Sequence, residues 1–343
     1  MRSAPVSPND HSNPSPILPR PFLGWLALVY LALGVLIIGG GHFGDAVANW
    51  PIAVAMAIGS YIAGSTPMGG GTIGFPVLVL VFDAPAVIGR DFSFAIQAIG
   101  MTSASVYILA RRLPIAWRVL GPAMLGSVFG TPLGAIFIAP HVDDLLVKLL
   151  FAITWAGFGI AQLRLMRDLL EPEPFARAHP NFERAAGALV GFFGGLLIAS
   201  ITGVGIDMLL FVTLVLLVRV DARCGIASSV LLMAVTSVVG LATNALAFGI
   251  PSEVWSNWYA AAPVVALGAP LGALAASIIP RGISLGIVST LCVVQFVAFC
   301  AAERIAGWPL AISLIALAVT TMAFSFVGRW GDRRTRRLAS EST

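Results

Sequence analysis

Two short stretches gather glycine and hydroxyl residues inside otherwise apolar surroundings. The first is Ala63-Gly64-Ser65-Thr66-Pro67-Met68-Gly69-Gly70-Gly71-Thr72, and the second is Ala199-Ser200-Ile201-Thr202-Gly203-Val204-Gly205-Ile206-Asp207. Each interrupts one apolar run and opens into another. The first turn of a helix has N–H groups without intrahelical partners and a partial positive charge, so two such ends meeting inside an apolar medium would cradle an anion without a cationic side chain. Glycine lets a ligand approach the backbone, and hydroxyls add donors. Thr66, Met68, Gly69, Gly70, Gly71, Thr72, Thr202, Gly203 and Gly205 are therefore the candidate substrate-binding residues. The plainer reading of such glycines is close helix packing, the role expected of Gly187, Gly191 and Gly195 at four-residue spacing. A nucleotide phosphate loop is excluded because no Gly-Lys-Ser/Thr follows either stretch.

Asp207 is a lone carboxylate inside an apolar run. Two roles are open to it: a proton or cation site that couples movement of a ligand to a gradient, or a cap on the helix that starts beside it. A charged Asp207 would repel an anion bound nearby, so the coherent form of the first role is protonation together with ligand entry. Gln97, Thr102, Ser103, Thr236 and Ser237 are candidates to line a pathway, with bonding between helices as the alternative. Arg90, Asp83 and Asp91 read as a solvated loop cluster. The four histidines fall in tails, loops or span ends, and neither HExxH nor GxSxG occurs, so an enzyme embedded in the membrane is the weaker alternative and no cofactor or metal is expected. Cys224, Cys292 and Cys300 lie in apolar segments with no CxxC pair and read as packing residues.

The elements that must position these residues follow from composition. The chain has 343 residues, 58% hydrophobic and only 10% charged, against about 25% charged in an ordinary soluble domain. Water cannot solvate that much apolar surface, so the lipid bilayer is the solvent and the class is an all-α integral membrane protein. Gly, Pro and charge mark apolar segments at 22–40, 51–64, 72–82, 93–110, 114–138, 143–163, 185–200, 206–218, 225–248, 256–278, 283–300 and 306–328. Segments 51–64, 72–82, 185–200 and 206–218 are shorter than the roughly 20 residues a spanning helix needs, which predicts half-helices or re-entrant hairpins.

The short segments sit at matching places of an internal repeat. Thr66 aligns with Thr202 and Gly69 with Gly205. Gly130-Thr131-Pro132-Leu133-Gly134 aligns with Gly268-Ala269-Pro270-Leu271-Gly272, and Thr102-Ser103 falls near Thr236-Ser237. If each short pair returns to its own side, 17 of the 20 basic residues gather on one side, which the positive-inside rule makes cytoplasmic. That side also takes both termini, and the C-terminal arginines reflect orientation rather than nucleic-acid binding. The expected organisation is a disordered cytoplasmic tail (1–21), a first transmembrane helix and loop (22–50), repeat 1 (51–163), a cytoplasmic linker (164–184), repeat 2 (185–300), a last transmembrane helix (301–328) and a basic tail (329–343). The two repeats would have inverted topology, a construction found in secondary transporters.

These residues carry a family resemblance. Gly64 to Pro76, Thr202 to Asp207, and the later pair Gly130 to Gly134 and Gly268 to Gly272 resemble the TauE/SafE sulfite exporter and anion permease family over roughly residues 50–300. The second stretch has Ile206-Asp207 where the first has Gly70-Gly71, an asymmetry between the half-sites. The resemblance implies export or uptake of sulfite, sulfoacetate, thiosulfate or a related small anion across a bacterial plasma (inner) membrane. An anion channel with the same glycine site is the alternative, and a homodimer is compatible with either.

Overall fold

Backbone in hydrocarbon must satisfy its own N–H and C=O groups. The computed structural model describes residues 17–66, 71–166, 180–275 and 281–341, and these form helices with no strand among them. In chain order they are α1 (Arg20–Gly39), α2 (Phe43–Ala48), α3 (Trp50–Ser65), α4 (Gly71–Pro76, continued by a π turn Val77–Val81), α5 (Ala86–Ala110), α6 (Trp117–Phe137) and α7 (Asp144–Arg164). Then come α8 (Pro180–Thr202), α9 (Ile206–Leu217), α10 (Ala222–Ala247), α11 (Ser252–Ala275), α12 (Arg281–Ala302) and α13 (Trp308–Glu341). Among the described residues nine helices are long and apolar enough to cross a bilayer, and α3, α4 and α9 are shorter. Leu31 and Ile38 on α1 and Ile315 and Phe326 on α13 are exposed, a surface that only lipid solvates well.

Two segments differ from the sequence expectation. The short segment expected over 185–200 is a 23-residue helix of spanning length. Its first turn holds Glu183, which charge alone assigns to a linker; the side chain is buried, with Arg118 Nη1 4.0 Å from its carboxylate. The last helix runs on through the basic tail to Glu341 rather than stopping at 328. Residues 1–16 and most of the 164–184 linker lie outside the described residues.

The second half repeats the first in detail. α4 and α9 both end in π turns, Val77–Val81 and Thr213–Leu217. After each, a non-glycine residue takes a left-handed φ, Asp83 at 53° and Arg219 at 62°, a conformation uncommon without glycine. The next turns close with the same bond, Ala84 N–H to Leu78 O and Val220 N–H to Leu214 O, both 3.0 Å. Gly89 of α5 meets Phe75 and Val79, and Gly225 of α10 meets Phe211 and Val215 at the same offset along the chain. In this register Thr236 stands where Gly100 does: Gly100 meets Val265 of α11, and Thr236 bonds Ser127 of α6. The expected pairing of Thr102-Ser103 with Thr236-Ser237 is therefore out by two residues, because apolar helices offer few residues that fix an alignment.

Glycine contacts also give helix directions. Gly187 and Gly191 of α8 lie against the backbone of Val119 and Ala123 of α6, and Gly134 of α6 lies against Leu196. The numbers rise together, so α6 and α8 run parallel. Likewise Gly268 meets Ser60 and Gly272 meets Tyr61 and Gly64, so α3 and α11 run parallel. These are the two most extensive helix pairings in the fold. In contrast, Asp91 meets Asn244 and Phe94 meets Gly240, so α5 and α10 are antiparallel. Gly59 contacts Ile73, and Gly194 contacts Ile206 and Leu209, so α4 folds back along α3 and α9 along α8. Both pairs are helical hairpins.

A Cβ on Gly191 would strike the Ala123 carbonyl, whereas one on Gly24 of α1 meets nothing within 4 Å. Gly191→Leu is expected to lose the monodisperse folded species in detergent, or to melt with a loss above about 3 kcal/mol. Gly24→Leu should melt like the parent; equal behaviour of the two variants would contradict the α6–α8 contact.

Candidate functional site

The two hairpin tips converge on one side chain that the sequence reading did not single out. Trp155, in the middle of α7, is fully buried. Its indole Nε1 donates to Thr72 Oγ1 at 3.0 Å at the first tip, and its far edge, Cη2, lies 2.5 Å from where a Cβ on Gly205 would sit at the second. Phe151 stacks on the indole at 4.3 Å between ring centres, and Phe75 stacks on Phe151 at 4.7 Å. The available signal was position: tryptophan favours membrane interfaces, and one in mid-span needs a buried acceptor for its N–H.

At the first tip, Met68, Gly69 and Gly70 lie outside the described residues, and Gly71 opens α4. Thr66 Oγ1 donates to Ile62 O at 2.8 Å, and Thr202 Oγ1 makes the matching bond to Ile198 O at 2.9 Å. Both hydroxyls thus tie off the helix that ends at the tip. The Thr72 carbonyl accepts from Gln295 Nε2 of α12 at 2.9 Å.

At the second tip, Gly203 (φ +79°) and Gly205 (φ +95°) adopt left-handed conformations that glycine enters without steric cost. Gly203 packs on the carbonyl of Arg90, and its own carbonyl accepts from Gln97 Nε2 at 3.1 Å. Gln97 thereby belongs to the site. Asp207 is 2% exposed and stands second in α9, whose N-cap is Gly205; its Oδ1 accepts the Met208 N–H at 3.0 Å. The carboxylate already uses an N–H that the sequence reading offers to an anion. No ion pair involves Asp207 among the described residues.

The pathway candidates divide. Ser103 accepts from Trp25 Nε1 of α1 at 3.0 Å, and Thr236 bonds Ser127, so both join helices. Thr102 is half-buried, and Ser237 is buried with its hydroxyl unpartnered among the described residues. The expected loop cluster is corrected: Asp83 is exposed in a turn, but Arg90 and Asp91 are buried within α5. Arg90 Nε bonds Asp91 Oδ1 at 2.9 Å, and Asn244 Nδ2 bonds the same oxygen at 2.7 Å. Partners brought from α10 make burial of the charges possible.

Two cavities approach the tips from opposite ends. One, of about 420 Å³, lies at the α5 N-terminal end, lined by the starts of α5 and α7, the end of α6, Ile201 at the second tip and the α10–α11 turn. The other, of about 590 Å³, lies at the opposite end, lined by the start of α10, the end of α11, Gly64 at the first tip and the α5–α6 turn. Apart from α7, each lining segment of one corresponds to a segment of the other in the second half.

Fold and site define a polytopic all-α membrane protein built of two hairpin-bearing halves, with apolar helices flanking them. The chain belongs to the sulfite exporter TauE/SafE family: the family's model matches residues 51–299. That span begins in α3 and ends in α12, so it takes in both halves and leaves out α1, α2 and α13. No curated protein and no solved structure matches the chain.

Because Trp155 and Thr72 share one hydrogen bond, Trp155→Phe and Thr72→Val should each lower stability by about 1 kcal/mol. Together they should cost less than the sum, as thermal unfolding in detergent would measure. Strict additivity would mean that the bond is absent.

Proposed function

We propose that this chain is a secondary transporter that moves sulfite or a related small organosulfur anion across a bacterial plasma membrane by alternating access. The observation that carries the reading is the pair of cavities at opposite ends, each reaching a different hairpin tip through equivalent segments of the two halves. In this reading the halves are inverted repeats, and the substrate passes between the tips, beside Trp155, Thr72, Gly203 and Gly205. Support for the inversion comes from the parallel pairs α3–α11 and α6–α8 with the antiparallel pair α5–α10. Inverted halves let one packing arrangement, exchanged between repeats, open either end.

Orientation follows from the same helix directions. They put Arg111, Arg112, Arg118, Arg164, Arg184, Arg219 and Arg223 at the α5 C-terminal end, with Arg90, Lys148 and Arg304 at the other. The basic end is then cytoplasmic, with both termini. Reporter fusions at either terminus should be active only with cytoplasmic reporters; an external C-terminus would refute the orientation.

Reconstituted protein is expected to carry sulfite with saturable kinetics and to accumulate it when a pH gradient is imposed. Ohmic conductance without saturation would make it a channel instead. Proton coupling is assigned to Asp207, because a buried carboxylate in an apolar helix, with no ion pair among the described residues, is a coupling site by default. Asp207→Asn keeps an acceptor for the Met208 N–H. It should preserve sulfite exchange between the two sides while abolishing gradient-driven accumulation, whereas unchanged accumulation would reduce Asp207 to a cap.

A further inference from the structure

The tips account for several buried polar groups, but not for Arg90. Its residue is only 7% exposed, and it faces the cavity that Ile201 connects to the second tip. A guanidinium has five N–H donors. The Asp91 pair engages Nε, and the four donors on Nη1 and Nη2 have no partner among the described residues. Both acids of this cavity hold further partners. Asp91 Oδ1 also takes the Asn244 amide, while Asp144 is held by Lys148 at 2.9 Å and by the Ala86 N–H at 2.5 Å. The Nη donors are not sealed off but open onto the cavity, where an anion can take them without displacing a protein partner.

The repeat supplies a control. In the register fixed by Gly89 and Gly225, Arg90 corresponds to Ile226 and Asp91 to Ala227, and Ile226 and Ala227 line the opposite cavity. The same helix start folds without the charge pair. The buried charge pair therefore belongs to one mouth of the protein and not to the architecture, since the charges that line the other, Asp221 and Arg223, are exposed.

We propose that Arg90 is an oxyanion-capture residue: its Nη fork binds the sulfite or sulfonate group of the substrate in this cavity, ahead of the second hairpin tip. Two parallel N–H···O bonds fit two oxygens of one such group. That the captured ion is the transported one rests on the transporter reading. Binding from this end is then tighter than from the Ile226 end, whose charged residues are exposed.

The test is sulfite binding to the purified full chain in detergent, read by titration calorimetry, beside sulfite flux in proteoliposomes. Arg90→Gln should weaken sulfite binding at least tenfold, and Arg90→Lys, which keeps the charge without the fork, should fall between it and the parent. Arg90→Gln with Asp91→Asn removes both charges, so no unpaired acid is left to disrupt folding, and a thermal melt checks this. If Arg90 only neutralises Asp91, the double variant regains parental binding and the proposal fails; continued weak binding by a folded double variant supports it. No sulfite binding by the parent also overturns it. Parental flux and half-saturation in the double variant would remove the Arg90 site but leave the transporter reading. Binding that depends on Arg90, with no flux, would do the reverse.

Discussion

Two helices that end at tips buried in the centre of the fold set the terms for everything around them. A helix end leaves N–H and C=O groups that lipid cannot satisfy, each at a cost of several kcal/mol. Here one carbonyl at each tip is met by a side chain from far along the chain. Gln97 takes the Gly203 carbonyl and Gln295 the Thr72 carbonyl, while Thr66 and Thr202 close the last turns of the helices they end. Each glutamine comes from the half opposite to the tip it serves. Each tip is thus completed by the opposite half, and the two halves meet at the centre of the molecule.

How much of this the sequence discloses depends on whether a residue's role is local. The tips are legible because left-handed φ at Gly203 and Gly205, and a Cβ-free surface at Gly64, Gly187 and Gly191, can be met by few residue types. Trp155, Arg90 and Asp91 are not legible in that way. Their environment is made by Thr72, Gly205 and Asn244, far away in the chain, and hydropathy scores a paired buried charge as it scores a loop charge. The start of α8 fails for the same reason, since Glu183 has Arg118 of another helix beside it. The alignment of Thr102 with Thr236 fails for a different one: interior helix positions accept many small or apolar residues, so the repeat leaves its firmest record at turns and glycine contacts.

The halves are alike in backbone and unlike in charge. Asp207 has no carboxylate counterpart at the first tip, and Arg90 has none at the second mouth, where Ile226 stands. A molecule with exact internal symmetry would treat its two ends alike. Retaining the repeat in its glycines while changing its ionisable residues keeps the packing common to both ends and lets the ends differ in what they bind.

The glycine contacts also decide which parts can move together. The first limb of each hairpin makes its widest contact with the fourth helix of the other half, α3 with α11 and α8 with α6. Along those seams a Cβ would strike backbone, at Ala123 under Gly191 and at Ala269 under Gly64. Backbone lying on backbone at that distance leaves no side-chain slack with which to slide, because close packing transmits displacement instead of absorbing it. The closest seams therefore join the sequence halves: under the proposed transport cycle, α3 would move with α11 as one unit and α8 with α6 as another. Under the transporter reading proposed above, the seam that yields lies between these pairs, where α5 and α10 cross and where Trp155 touches both tips. That is also where hydrogen bonds, each worth only about 1 kcal/mol, join the tips to α5, α7 and α12.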